Sequence, residues 1–164
     1  MSAEEDETTP PSQQEQSAFH VVKLYLKDLS FESPHPPEIF TEDLEPELEF
    51  NLETNSTRKG EEHYETSLHV SVKVSSPEKV LFLVELTYAG LFLLRRIPPQ
   101  HVPPLLGIEC PNILFPYVRR IVSDMVLEGG FKPVVLDPVN FAALYQRKLQ
   151  MQRDQAAGEP EAES

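Results

Sequence analysis

Polar and apolar residues alternate through the first half of the chain, then give way to a helical spacing. From Glu47 to Glu53, Leu48, Phe50 and Leu52 alternate with Glu47, Glu49, Asn51 and Glu53. From His63 to Val74, Tyr64, Thr66, Leu68, Val70, Val72 and Val74 fall on one side. Alternation of this length predicts antiparallel strands with one face on a core and the other in water. Gly60, between Lys59 and Glu61, predicts that the two form a hairpin. Two further runs alternate less cleanly. Residues 19–31 are rich in β-formers but put Val21-Val22 and Leu24-Tyr25-Leu26 on both faces. The run from Val80 to Leu94 is apolar on both faces, with Leu81 and Leu83 against Phe82, Val84 and Leu86. Such a strand needs cover on two sides, and self-association is one source of it.

Beyond residue 110 the period changes. Val118, Ile121, Val122, Met125 and Val126 form an amphipathic helical stripe. Pro116 stands near its start, and Gly129-Gly130 supplies a C-terminal stop. A second helix is predicted with Asp137 as N-cap and Pro138 at its first position. Phe141, Leu144, Tyr145 and Leu149 make its apolar side, and Arg147, Lys148 and Arg153 suit its C-terminal dipole. Strands first and helices last predict an α+β fold, a four-stranded antiparallel sheet followed by two C-terminal helices.

Charge narrows the function classes. The 164 residues carry 14 Lys and Arg against 27 Asp and Glu, a formal net charge of -13. That balance repels a phosphate backbone, so nucleic-acid binding is excluded, and an anionic membrane surface is disfavoured likewise. Much of the charge lies at the ends. Residues 1–18 and 154–164 are acidic and poor in apolar residues, which predicts two disordered tails around one domain at 19–153. Within that domain 18 acids meet 14 bases. The acidic start lacks the basic and apolar pattern of a secretory signal, and no apolar run approaches membrane-spanning length. A single cysteine, Cys110, fits a reducing compartment. The expected location is the cytoplasm.

The chemistry search returns little. No two of the six glycines have the spacing of a dinucleotide fingerprint, nucleophile elbow or P-loop. His63 and His69 on one strand would stand roughly 20 Å apart, too far to share a metal. Cys110 with His101 could suggest a nucleophile and base, but no orienting third group accompanies them. Two features remain. Between Asp28 and Glu53 lie nine acids and no base, either a solvated face or a docking face for a basic partner. The proline-stiffened segment Ser33 to Phe40, with Leu44 beyond it, either pins a loop or walls a groove with Phe141, Leu144 and Tyr145.

Three motifs add a resemblance. Lys27-Asp28-Leu29-Ser30-Phe31-Glu32, Cys110-Pro111-Asn112-Ile113-Leu114-Phe115-Pro116-Tyr117 and Leu136-Asp137-Pro138-Val139-Asn140-Phe141 occur in this order. Together they resemble the SecB family of bacterial preprotein-export chaperones, over about residues 19–150. The resemblance implies an ATP-independent holdase without cofactor, metal or catalysed reaction. It implies a homotetramer, a dimer of dimers, that keeps unfolded preproteins export-competent and delivers them to the translocation motor SecA. By the same resemblance Asp28, Glu32, Leu83 and Glu85 are the motor-binding residues, and Val84, Leu86 and Tyr88 lie at the tetramer interface. Phe40, Leu44, Phe141, Leu144 and Tyr145 are expected to form the client-binding groove, with Leu44 replacing an aromatic found in some relatives. The alternatives are a relative dedicated to a toxin–antitoxin system and, from another class, a Cys110-dependent enzyme.

Overall fold

A computed structural model describes residues 16–158. Four antiparallel strands, β1 (Ala18–Glu32), β2 (Glu47–Arg58), β3 (His63–Ser75) and β4 (Val80–Arg95), lie in the order β1-β4-β3-β2. Two helices follow, α1 (Cys110–Glu128) and α2 (Phe141–Gly158). The α+β arrangement expected from the periodicity is the one found. The N-terminal tail expectation falls mostly on residues 1–15, outside the described residues, and β1 starts at Ala18.

Each irregularity of the sequence pattern has a structural cause. The broken alternation of β1 comes from two register shifts against β4, between Val21 and Lys23 and between Leu26 and Asp28. A bulge inserts one residue and flips the facing of everything after it. Val22 and Lys27 are the inserted residues, so Val21, Leu24, Leu26, Leu29 and Phe31 all share one face. The doubly apolar β4 is a central strand between β1 and β3. β2 runs five residues past its alternating part, through Thr54 to Arg58, because β3 continues to pair with it and Ser56 Oγ meets Thr66 Oγ1 at 2.8 Å. The Gly60 hairpin closes as expected, with the Lys59 N–H donating to His63 O at 2.8 Å.

The core lies between one sheet face and α1. Leu68, Val70 and Val72 of β3 and Val84, Leu86 and Phe92 of β4 are fully buried there. Leu114, Val118, Val122 and Val126 of α1, each four residues from the next, are equally buried, and α1 packs on β3 and β4. Burying each such side chain stabilises the fold by about 1.5–3 kcal/mol before entropy is counted.

Both helix starts differ from expectation. α1 begins at Cys110 and includes Pro116, which was expected near its first turn. A proline mid-helix frees the carbonyl four residues earlier. Here that residue is Asn112, exposed like Pro116, so water can solvate the carbonyl. At the other end Gly130 has φ +88°, its N–H donates to Leu127 O, and the Phe131 N–H donates to Val126 O. That bond pair is the Schellman closure for which a glycine is suited. The cap of α2 is Asn140, whose Oδ1 accepts the Ala143 N–H at 3.0 Å. Asp137, the expected cap, lies exposed three residues before the actual cap. α2 continues to Gly158, with Gln150 Nε2 donating to Asp154 Oδ1 at 3.0 Å. Residues 154–158, expected within a disordered tail, are therefore helical, and 159–164 lie outside the described residues.

Candidate functional site

Two surfaces concentrate the remaining candidates. The first runs along β2, an edge strand whose outer N–H and C=O groups have no strand partner among the described residues. Beside its C-terminal half a cleft of about 410 Å³ opens between Thr54, Asn55 and Ser56 on one side and Leu144 and Tyr145 of α2 on the other. Its base is formed by Val102, Leu106 and Gly107 from the helical lead-in at residues 99–109. Beside the N-terminal half, Leu48 and Phe50 and the segment 134–139 bound a second cleft of about 400 Å³. Val135, 72% exposed, stands on its rim.

The structure divides the expected groove residues. Leu144 (38% exposed) and Tyr145 line the first cleft. Phe141 reaches it only from behind: it is 2% exposed and edge-on to Phe115 at 5.8 Å, a core side chain first of all. Phe40, 49% exposed, lies in neither cleft. It packs at 5.3 Å on Phe131, which in turn contacts Phe82 at 4.8 Å near the end of α1. Leu44 is half-buried against the core and also lines neither cleft. Sequence reasoning missed the β2 walls and Gly107. The alternation of Leu48 and Phe50 carried a signal for the former, but polar Thr54 to Ser56 carried none.

The second surface is the sheet face opposite α1. Asp28 pairs with Thr87, Ser30 with Glu85, and Glu32 with Leu83. Cross-strand partners share a face, so Asp28, Glu32, Leu83 and Glu85 come together on it although the chain separates them by some 50 residues. On the next strands Lys73 pairs with Leu83 and with Glu49, and His69 with Thr87 and with Glu53. Asp28, Glu32, Glu49, Glu53 and Glu85 make no ion pair among the described residues. The acidic run of the sequence is thus divided. Glu38, Glu42, Asp43 and Glu45 belong to the connection that carries the chain from β1, at one edge, to β2 at the other, where Glu42 pairs with Lys79 at 2.7 Å.

At the opposite end of this face Tyr25 Oη donates to Glu65 Oε2 at 2.5 Å, and Lys27 Nζ donates to Oε1 at 3.0 Å. Burial, reinforced by the carboxylate, pushes the Tyr25 phenol up to about 12, while the bond from Tyr25 holds Glu65 below its ordinary value.

Val84, Leu86 and Tyr88, expected between dimers, lie on the face that α1 of the same chain covers. Val84 and Leu86 are fully enclosed under α1 of their own chain, and Tyr88 stacks on Tyr117 of α1 at 5.5 Å. Cys110 is buried, and burial pushes its thiol up to about 12 against a smaller opposing effect of Thr66. A thiol so protonated at neutral pH is a poor nucleophile, an unfavourable setting for a Cys110-dependent enzyme. Among the described residues no three His, Cys, Asp or Glu side chains converge as metal ligands, and no helix is long and apolar enough to cross a membrane.

Residues 12–152 match the family described as preprotein translocase subunit SecB. The chain belongs to the SecB family. It is 59% identical over 138 residues to the protein-export protein SecB of Magnetococcus marinus, covering 84% of this chain and 88% of that one. To the protein-export protein SecB of Dechloromonas aromatica it is 47% identical over 148 residues, 90% of this chain and 97% of that one. The fold also matches a SecB-like chaperone of Mycobacterium tuberculosis, solved with a ChAD peptide of the HigA1 antitoxin. That match has a TM-score of 0.59 at 12% identity and covers 74% of this chain and 90% of the other. The SecB family is not an enzyme family, in keeping with the inert setting of Cys110.

Proposed function

We propose that this protein is an ATP-independent holdase of the cytoplasm that keeps exported precursors unfolded and passes them to the translocation motor SecA. The observation that carries the reading is the pair of mainly apolar clefts along the open edge of β2. A holdase must grip many sequences, so its site should be apolar and adaptable with little side-chain readout. The clefts supply apolar walls, and the free edge of β2 supplies backbone groups to any extended segment, as in strand addition. Several weak contacts along one unfolded chain then act through effective concentration, with no nucleotide required. The high identity to proteins named for export supports that role over service to a toxin–antitoxin pair.

The sheet face with Asp28, Glu32, Leu83 and Glu85 is the docking site for the motor: the carboxylates steer a cationic segment and Leu83 gives apolar contact. Assembly into a dimer of dimers accounts for the apolar side chains left open on β1 and α1, among them Val21, Leu26, Tyr117 and Leu127. In this assembly Val84, Leu86 and Tyr88 act at one remove, by seating α1 so that its outer side can meet a second copy.

Mixing the full chain with a slow-folding precursor during dilution from denaturant tests the central claim. Delayed refolding at a stoichiometry of subunits to client, without ATP, is expected. Refolding at the unassisted rate would overturn it.

A further inference from the structure

Gly107 is placed where any side chain would displace a neighbour. It lies within the five-residue π-helical turn Leu105–Glu109, directly under α2. A Cβ added there would stand 2.6 Å from Cδ2 and 3.0 Å from Cε2 of the Tyr145 ring. Ordinary contact between carbons is about 3.5–4.0 Å, so ring or helix would have to move. Both residues line the same 410 Å³ cleft.

The hold of the fold on α2 makes that contact consequential. Phe141 is the only wholly buried residue of the helix, and the turn containing Gly107 is its main packing surface. Tyr145, one turn beyond Phe141, is the second anchor, on the same helical face. With Phe141 fixed against Phe115, the seating of the Tyr145 ring on bare backbone fixes how closely α2 lies over the cleft. Leu144, beside Tyr145, is carried with it.

We infer that Gly107 is a specificity-determining residue: by letting the Tyr145 ring pack close against the π-turn, it sets the width of the cleft and so the size of apolar side chain that the cleft accepts from an unfolded chain. The inference rests on the holdase reading of the cleft. A side chain at position 107 swings the ring into the cleft that both residues line and penalises the bulkiest guests. Shortening the residue at 145 relieves the clash and restores room.

The test uses the full chain and three labelled extended peptides that differ at one position, Trp, Leu or Ala, with affinity read by fluorescence anisotropy and folding by thermal unfolding. Gly107→Ala is expected to lose about tenfold in affinity for the Trp peptide and little for the Ala peptide, the scale on which a misfitting apolar group is penalised. It should also melt at a lower temperature. Gly107→Ala with Tyr145→Leu should recover the melting temperature and the Trp peptide together. Unchanged affinities in a folded Gly107→Ala protein would overturn the inference. So would a loss that Tyr145→Leu cannot compensate, since the glycine would then serve only the backbone of the π-turn. Leu144→Asp, run in parallel, separates the two levels: if it too leaves every peptide bound, the holdase reading of the cleft fails, whereas weakened binding by that variant alone leaves the cleft in place and removes Gly107 from its control.

Discussion

Replacing Leu86 by arginine tests whether its side chain serves the core of its own chain or a contact between copies. On surface logic the added charge should split a tetramer into folded dimers. The fold predicts something harsher. Leu86 stands in register between Leu29 of β1 and Val70 of β3, beneath α1, with no solvent exposure. Its neighbour Glu85 points to the opposite face, so no carboxylate on β4 can answer the guanidinium. Losing the leucine forfeits about 1.5–3 kcal/mol of burial, and an unpaired buried charge costs about 3–5 kcal/mol more. The sum, roughly 5 kcal/mol or more, is comparable to the whole stability of a domain of this size, about 5–15 kcal/mol. At about 2–4 °C per kcal/mol, the melting temperature should fall by at least about 10 °C, or the protein should not fold. Leu83→Arg is the control: it lies three residues away on the same strand, half-exposed on the free face, with Glu32 as its partner on β1. It should cost about 1 kcal/mol or less. Circular dichroism melts and sedimentation of both variants check the contrast. A Leu86→Arg protein with the parental melting temperature, sedimenting as a clean dimer, would refute the placement of Leu86 in the core and return it to an interface.

Asp28→Lys and Glu85→Lys should abolish binding of the motor while leaving assembly and client binding intact, and parental motor binding should weaken steeply with salt, because exposed charges are screened within about 8 Å at physiological ionic strength. A salt series of motor affinity beside client affinity measures both, and undiminished motor binding in both variants would reduce the acidic face to a solvated one. Tyr25→Phe should cost about 1 kcal/mol near neutral pH. Glu65 is held low in the fold, so its contribution is present above its ordinary value of 4.5 and lost as pH falls through the depressed one. The phenol contributes fully below its ordinary 10.0, and its share is lost as pH climbs to about 12. Melting temperature against pH should therefore be flatter in the variant at both ends. Arg96, exposed with φ 53°, occupies the left-handed region at a cost of about 1–2 kcal/mol. Arg96→Gly should relieve it and, after a backbone-entropy loss of about 0.5–1 kcal/mol, raise the melting temperature by a degree or two.

What the sequence determined by itself was everything that depends on local period and on neighbours along the chain. Alternation made β2, β3 and their hairpin legible, and the four-residue spacing of Val118, Val122 and Val126 made α1 legible. Gly129-Gly130 marked its end because a left-handed closure favours glycine. The start of α1 was not legible: whether a proline ends a helix or rides on it depends on whether water reaches the freed carbonyl, a property of the packed surface. The cap of α2 was ambiguous for a similar reason, since Asp137 and Asn140 both have capping side chains and only the path of the chain decides which meets a helix N–H. Strand order lay beyond any local pattern. It is the insertion of β4 between β1 and β3 that gathers Asp28, Glu32, Leu83 and Glu85 on one face and leaves the edge of β2 open. The same order turned Val84 and Leu86 inward, since a strand apolar on both sides does not reveal which side its own helix will cover. Tertiary structure also decided the groove, setting Phe141 into the core and Phe40 onto Phe131. It brought Gly107 beneath Tyr145, a contact between residues 38 positions apart that only the packing of α2 on the π-turn could create.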